Sequence, residues 1–284
     1  MQEKIDILFL GDIVGKPGRK IVSQYLKNIK NDNLVYGTPN SIKSSKQPDF
    51  IIANVENASH GFGLTTKNHK ELVELGIDAF TSGNHIWDRK EIFEFIETSD
   101  RIIRPLNYPE GVPGVGSRVF ELPNGAKIAV INLLGSVFMN PIDSPWHVLE
   151  NEISKIKQIT PIIILDFHAE ATAEKVSMGH FANKLGLSAV IGTHTHIQTA
   201  DEKILNNSMA YITDVGFCGS TEGVIGMDIQ SSLKRFLTGL PERFDIAPDG
   251  SSELNGVRFI IDKNSAKAEY IERIKFYTNI SEDN

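Results

Sequence analysis

The fold is decided by residues 161–196, which read PIIILDFHAEATAEKVSMGHFANKLGLSAVIGTHTH. Two runs rich in apolar residues, 161–167 and 188–192, predict buried strands, and the spacing between them predicts a helix over 171–185. Gly186 stands where that helix should stop. A strand, a helix and a strand in this order predict two parallel strands in a layered sheet.

The same pattern continues outside this stretch. Further strands are predicted over 5–10, 50–55, 79–81, 127–134 and 209–213, and further helices over 18–30, 67–75, 89–97 and 145–157. The alternation predicts an α/β fold with a mostly parallel sheet. Two strand-like runs at 257–261 and 268–277 predict a C-terminal edge hairpin. Residues 35–48 predict a surface loop rather than a domain boundary, so we expect 1–284 to form a single domain.

The composition excludes several classes of protein. Lys plus Arg number 29 and Asp plus Glu number 36, a formal net charge of −7, which argues against an extended nucleic-acid groove. The only cysteine, Cys218, excludes an intrachain disulfide and a thiolate metal cluster, and this usage is typical of a reducing cytosol. No signal-peptide pattern and no run of ~20 apolar residues occurs. We therefore expect a cytoplasmic protein without a membrane segment.

Side chains that can bind metal ions follow most of the predicted strands. They occur in LFLGD (8–12), ANVEN (53–57), TSGNH (81–85), LDFH (165–168) and IGTHTH (191–196). The carboxyl ends of strands in open α/β sheets meet at one crevice, so groups distant in sequence can share a site. Imidazole, carboxylate and amide ligands without sulfur suit Mn, Fe, Zn or Ni. The number of such groups predicts two metal ions.

Each of these residues also has a purely structural interpretation. Asp12 could open a turn or cap the following helix, and His168 could be a hydrogen-bonded core histidine. Asn84 with His85 could form a simple turn. Glu56 is harder to explain in this way, because an unpaired buried carboxylate is costly. In the triplet His194-Thr195-His196, the two imidazoles point to the same side if the backbone stays extended. If the backbone turns, they can point towards two different ions.

Five motifs resemble one known family. In chain order they are GDIVGKPGR (11–19), NVENASHGFGL (54–64), SGNHIWD (82–88), DFHAEATAEK (166–175) and GTHTHIQTAD (192–201). Their order and wording are similar to the YmdB-type branch of the calcineurin-like metallophosphoesterases. The resemblance implies a layered β-sandwich flanked by helices and activity as a 2′,3′-cyclic nucleotide 2′-phosphodiesterase.

The resemblance also implies a role for each candidate residue. The first metal ion would be held by Asp12, Glu56, Asn57 and His196. The second would share Glu56 and be held also by Asn84, His168 and His194. His85 would face the phosphate as the proton donor. The broader superfamily has a histidine where Val14 stands and an aspartate where Glu56 stands, and both departures agree with the YmdB-type pattern.

We therefore expect a metal-dependent phosphodiesterase that hydrolyses 2′,3′-cyclic nucleotides, such as 2′,3′-cAMP to 3′-AMP, through a bridging hydroxide. Two ions are expected, with iron or manganese ahead of zinc or magnesium. The expected partner is the small cyclic nucleotide, and a homo-oligomer is left open.

Three alternatives stay open at this point. They are a phosphodiesterase or phosphatase of broader specificity, a non-catalytic nucleotide-binding regulator and a metal-dependent amidohydrolase. Amidohydrolases carry the His-x-His pair on the first strand, whereas here the pair follows a late strand and Asp12 comes first. A regulator would have no need of a proton donor such as His85.

Overall fold

The computed structural model describes residues 3–31, 47–140 and 142–278, and within these ranges the chain forms two β-sheets and six helices. The strands are β1 Lys4–Leu10, β2 Asp12–Ile13, β3 Phe50–Asn54, β4 Ala79–Thr81, β5 Ser117–Glu121, β6 Lys127–Leu134, β7 Ile163–His168, β8 Ala189–Thr193, β9 Lys203–Leu205, β10 Met209–Ile212, β11 Phe217–Ser220, β12 Ser252–Asp262 and β13 Ala268–Thr278. The helices are α1 Gly15–Lys30, α2 Thr66–Glu74, α3 Ile92–Phe95, α4 Pro145–Ile156, α5 Thr172–Lys184 and α6 Ile229–Thr238. Most of the predicted surface loop, residues 35–46, lies outside the described residues.

Both sheets are mixed. The first has the order β2-β11-β12-β1-β3-β4, with β13 paired to β12, and its strands β1, β3 and β4 are parallel. The second has the order β5-β6-β7-β8-β10-β9, in which the four central strands are parallel and the two outer strands antiparallel to their neighbours. The predicted α/β class is confirmed, but the expectation of one mostly parallel sheet was wrong, because the described residues form two sheets and in the first of them β12 is antiparallel to β1, β11 and β13.

Alternation along the strands explains how the sheets pack. In β1, Ile5, Ile7 and Phe9 belong to a core that contains side chains of both sheets, whereas Leu8 and Leu10 pack with α1 and α2. In the second sheet, the opposite face of β6–β8 packs with α4 and α5. Strands covered on both faces are apolar at nearly every position, which is why the sequence shows apolar runs rather than an alternating pattern.

The C-terminal hairpin forms, but the prediction that it lies at the edge of a sheet was wrong for its first strand. β12 pairs with β13 along its length and also with β11 and then β1, so only β13 is at the edge. The register places Ile7 opposite Phe259. This pairing joins opposite ends of the chain, and local spacing carries no information about such a partner.

Several local details also differ from the predictions. Four short strands, β2, β5, β9 and β11, and helix α6 were not predicted. Helix α1 begins at Gly15 rather than at 18, and α3 is only four residues long. Helix α2 begins at Thr66 rather than at 67, and its N-cap is Thr65, whose hydroxyl accepts the Asn68 N–H at 3.4 Å. Within the described part of the chain, every helix is too short or too polar to cross a bilayer.

Candidate metal centre

Every predicted ligand lies at the end of a strand or directly after it. Asp12 begins the two-residue strand β2, and His168 is the last residue of β7. Glu56 and Asn57 follow β3, Asn84 follows β4, and His194 and His196 follow β8. The two sheets bring these strand ends together, and each of the seven side chains contacts at least one other of the set.

Three ligand atoms surround one nitrogen of His168. Its Nε2 lies 3.1 Å from Glu56 Oε1, 3.2 Å from Asn84 Oδ1 and 3.0 Å from His194 Nδ1. One nitrogen carries at most one proton, so hydrogen bonds cannot satisfy all three neighbours. Atoms that bind one cation at about 2.1 Å stand about 3.0–3.4 Å from one another, and the observed distances lie in that range. We call Glu56, Asn84, His168 and His194 the His168 cluster.

A second group, the His196 cluster, consists of Asp12, Asn57 and His196. The Nε2 atom of His196 lies 3.3 Å from Asn57 Oδ1 and 3.7 Å from Asp12 Oδ2. Asp12 is fully buried, and within the described residues its Oδ1 atom has no hydrogen-bond partner. A buried carboxylate oxygen without a partner is costly, and a cation would satisfy it. The residues present therefore fit a metal ion in both clusters.

The backbone turns sharply where the two histidines divide between the clusters. His194 has φ of 100° and His196 has φ of 64°, values that non-glycine residues seldom adopt. The turn is held by Asp214, whose Oδ2 accepts the Thr195 N–H at 3.0 Å and contacts Lys175 Nζ at 2.5 Å. The sequence left two geometries open for this triplet, and the structure has the turned one.

Hydrogen bonds behind His168 leave its Nε2 atom available for a cation. Its Nδ1 lies 2.9 Å from Thr193 Oγ1, and that hydroxyl donates to Asp166 Oδ1 at 2.6 Å. Because the hydroxyl proton points to Asp166, Thr193 can only accept from His168, which places the proton of the neutral ring on Nδ1. Similarly, His194 Nε2 lies 3.2 Å from Glu170 Oε2, so its Nδ1 is left for the cluster.

Replacing Thr193 by valine should weaken metal binding about 10–100-fold, because the ring of His168 loses the group that fixes its tautomer and orientation. The measurement is competition for Mn²⁺ against a chelating dye. Thr160→Val is the matched control, since its buried hydroxyl bonds the Lys127 carbonyl at the other end of β7. Equal affinities in the two variants would show that the Thr193 hydroxyl has no part in metal binding.

The pKa values of the residues in the His168 cluster indicate which of them is protonated. Burial disfavours the charged form of His168, but the carboxylates of Glu56 and Asp12 outweigh it and raise the pKa of His168 to about 9. Burial likewise opposes ionisation of Glu56, yet His168 holds the pKa of Glu56 below its usual range. Burial and the positive charge of His168 lower the pKa of His194 to about 3, and burial also lowers the pKa of His196. His168 is therefore the protonated residue of this cluster at neutral pH, and in the neighbouring His196 cluster burial raises the pKa of Asp12 well above its usual range.

A cation must displace the proton of His168, and the raised pKa of Asp12 acts in the same direction, so metal binding at pH 7 should release at least about one proton. Below the pKa of about 9, each unit rise in pH should increase the apparent affinity about tenfold, and the dependence should flatten above it. Calorimetric titration with Mn²⁺ in two buffers of different protonation enthalpy measures the number released. Binding enthalpies independent of the buffer would contradict the assignment of the proton.

A cavity of about 340 Å³ opens beside the clusters. It is lined by Glu56, Asn57, Phe62, His85, Glu170, His194, Thr195, His196, Val224, Ile225, Met227, Ser232, Phe236 and Phe244. His85 donates its backbone N–H to Glu56 Oε2 at 3.0 Å, and its Nδ1 lies 2.9 Å from Asp88 Oδ2. The predicted proton donor therefore lies next to the predicted bridging ligand and faces the cavity.

The sequence analysis assigned no role to the residues that support the candidate ligands. Asp88 stands where the N-cap of the helix predicted over 89–97 belongs, but α3 begins only at Ile92 and the Asp88 carboxylate instead contacts His85. Asp166 carried a usable signal, since it interrupts a strand that is otherwise apolar. Lys175 and Asp214 carried none, because each stands in an ordinary local sequence.

The fold and the site together define an α/β protein with a buried cluster of histidine, carboxylate and amide ligands at the ends of its strands. A family model described as YmdB-like protein matches residues 8–274. The chain belongs to this YmdB-like family. The resemblance in the five sequence motifs is thereby confirmed.

Individual relatives agree with the family assignment. The 2′,3′-cyclic-nucleotide 2′-phosphodiesterase of Bacillus subtilis (strain 168) is 46% identical over 268 residues, covering 94% of this chain and 96% of that protein. A crystal structure described as a novel phosphatase from Mycoplasma pneumoniae superimposes with a TM-score of 0.86 at 35% identity, covering 98% of this chain and 95% of that one. A hypothetical protein from Thermus thermophilus matches with a TM-score of 0.84 at 33% identity, covering 96% of this chain and 99% of that one.

Proposed function

We propose that this protein is a metal-dependent phosphodiesterase that hydrolyses 2′,3′-cyclic nucleotides at a dinuclear centre. The observation that carries the proposal is the pair of ligand clusters, joined by the consecutive residues Glu56 and Asn57, with His85 beside them at the cavity. The activity of the Bacillus subtilis relative, which is similar over almost the whole chain, supports a phosphoesterase and suggests the substrate class.

The ligand assignment follows the two clusters. Asp12, Asn57 and His196 would hold one ion, Asn84, His168 and His194 the other, and Glu56 would serve both. When bound, the two ions would supply positive charge to the phosphoryl oxygens and lower the pKa of a water molecule, so that a nucleophile is available near neutral pH. Oxygen and imidazole ligands accept iron, manganese or zinc, and iron or manganese remains our expectation.

His85 is positioned to donate the proton that the leaving oxygen needs. The contact between its Nδ1 and Asp88 orients the ring and leaves Nε2 to carry the transferable proton. As an oxygen from water bonds to phosphorus, the bond from phosphorus to O2′ breaks and O2′ takes the proton from His85. The product is then the 3′-monophosphate. A positioned acid of this kind contributes about 10²–10⁴-fold to the rate.

The test is a screen of the metal-loaded protein against 2′,3′-cAMP, 3′,5′-cAMP and the monoester p-nitrophenyl phosphate, with the products identified by chromatography. We expect hydrolysis of 2′,3′-cAMP to 3′-AMP and much slower turnover of the other two. Preferential hydrolysis of the monoester would instead support the broader phosphatase alternative. Tight binding of 2′,3′-cAMP without product would support the regulator.

Two structural expectations belong to the same proposal. We propose that the two sheets and their helices have the calcineurin-like layering, because the core side chains of both sheets pack together and the helices cover their outer faces. We also propose that residues 1–284 form a single domain, since β12, near the C-terminal end, pairs with β1.

A further inference from the structure

One side of the cavity is formed by apolar side chains that take no part in the proposed chemistry. We call it the apolar wall, and its members are Phe62, Val224, Ile225, Met227, Phe236 and Phe244. Among the described lining residues there is no lysine or arginine. An uncharged aromatic surface fits a neutral ring system, and it does not fit a second phosphate or the backbone of a longer nucleic acid.

Direct contacts fix the apolar wall to the metal centre. The Ile225 carbonyl lies 2.9 Å from His196 Nδ1, so the loop before α6 orients a proposed ligand. The ring of Phe62 packs edge-on against His85, with the ring centroids 4.8 Å apart. A substrate with its phosphate at the clusters and its leaving oxygen near His85 therefore has this wall beside the rest of the molecule.

Helix α6 exposes apolar side chains at the mouth of the same cavity. Phe236 lines the cavity, yet it is 83% exposed, and its neighbour Leu237 is 82% exposed. Clustered apolar exposure of this kind marks a binding surface rather than a stabilising core. Phe244, on the same wall, carries Arg235 over its ring at 5.0 Å, which leaves fewer directions from which a second ring can approach it. Phe236 has the freer aromatic face.

We infer that the apolar wall is the nucleobase subsite of this centre and that Phe236 covers the base by stacking. The inference rests on the proposed function and adds how the substrate is recognised. Apart from the metal ligands, His85 and Glu170, the only polar side chains among the described lining residues are Thr195 and Ser232. Stacking depends little on the identity of the base, because every base has an aromatic face. The four 2′,3′-cyclic nucleotides should therefore be hydrolysed with similar kcat/KM.

The experiment compares 2′,3′-cAMP with a substrate that lacks the base, methyl β-ribofuranoside 2′,3′-cyclic phosphate. The quantity measured is the kcat/KM for 2′,3′-cAMP divided by the kcat/KM for the substrate without a base. Loss of one base–aromatic stack corresponds to about 5- to 150-fold, so Phe236→Ala should lower this ratio by at least about fivefold. Phe236→Trp, which retains an aromatic face, should preserve most of it. Phe138→Ala is the matched control, because Phe138 is 88% exposed and lies outside the cavity lining.

Each other outcome overturns the inference in a recognisable way. If the wild-type protein hydrolyses both substrates with the same kcat/KM, the base makes no favourable contact with the apolar wall. The inferred subsite is then wrong, whereas the proposed function is unaffected. If Phe236→Ala leaves the ratio unchanged, whether or not both rates fall, Phe236 does not contact the base. If the metal-loaded wild type hydrolyses neither substrate, the proposed function fails and the inference fails with it.

Discussion

Replacing His85 by alanine will lower kcat for 2′,3′-cAMP by about 10²–10⁴-fold, the usual contribution of a positioned general acid, and will leave the bound metal unchanged. The effect is on turnover because His85 faces the cavity, whereas its link to the ligands is made by its backbone N–H, which alanine retains. The measurement is steady-state hydrolysis together with elemental analysis of the same preparation. Asp88→Asn should show a smaller loss, since the ring remains but loses its charged partner.

The control for this variant is His180→Ala, because His180 is an exposed histidine on helix α5. It should have the kcat and the metal content of the wild type. A fully active His85→Ala protein would remove His85 from the mechanism. A variant that loses its metal along with its activity would mean that His85 acts as a ligand and not as a proton donor.

Removing the metal ions will abolish hydrolysis, and adding Mn²⁺ or Fe²⁺ to the metal-free protein will restore it. The reason is that bound ions would supply both the charge at the phosphoryl oxygens and the activated water, which no described side chain of the cavity replaces. Thermal unfolding of the metal-free protein should also begin at a lower temperature, because ions that bind only the folded state stabilise it. In the metal-loaded protein, Asp12 Oδ1 would gain the partner that it lacks among the described residues.

The control for the chelation experiment is the same protein treated with chelator already saturated with Mn²⁺, which should keep its activity. Full activity in a preparation that elemental analysis shows to be free of metal would contradict the proposed function. Restoration by Zn²⁺ or Mg²⁺ better than by either Mn²⁺ or Fe²⁺ would contradict only our expectation for the metal.

The parts of the fold that could be predicted from the sequence are those specified locally. Strands such as β7 and helices such as α4 have an apolar pattern and clear end signals within a few residues, and both occur close to their predicted bounds. The position of β12 between β1 and β13 could not be predicted, because strand pairing across most of the chain depends on tertiary packing. Helix α6 was missed although its sequence carries the signals of a helix, with the N-cap Asp228, apolar residues at 229, 233, 236 and 237, and Gly239 after its last residue.

The same distinction between local sequence signals and tertiary packing applies to the candidate site. That the candidate ligands lie together could be predicted because each follows an apolar strand, and the carboxyl ends of parallel strands converge. The supporting roles of Thr193 and Lys175 could not be predicted, because both residues act through contacts that only the folded chain creates. The apolar wall was missed for the same reason, since Phe62 and Phe236 are far apart in sequence and only the folded chain brings them to one cavity.

The most direct test of the dinuclear centre is anomalous X-ray diffraction from crystals of the protein loaded with Mn²⁺, recorded on both sides of the manganese absorption edge. We expect two anomalous peaks about 3.5–4 Å apart. One should be bound by His168 and His194, the other by Asp12 and His196, with Glu56 between them. A map with no peak at these side chains, or with a single peak that leaves one cluster empty at saturating metal, would contradict it.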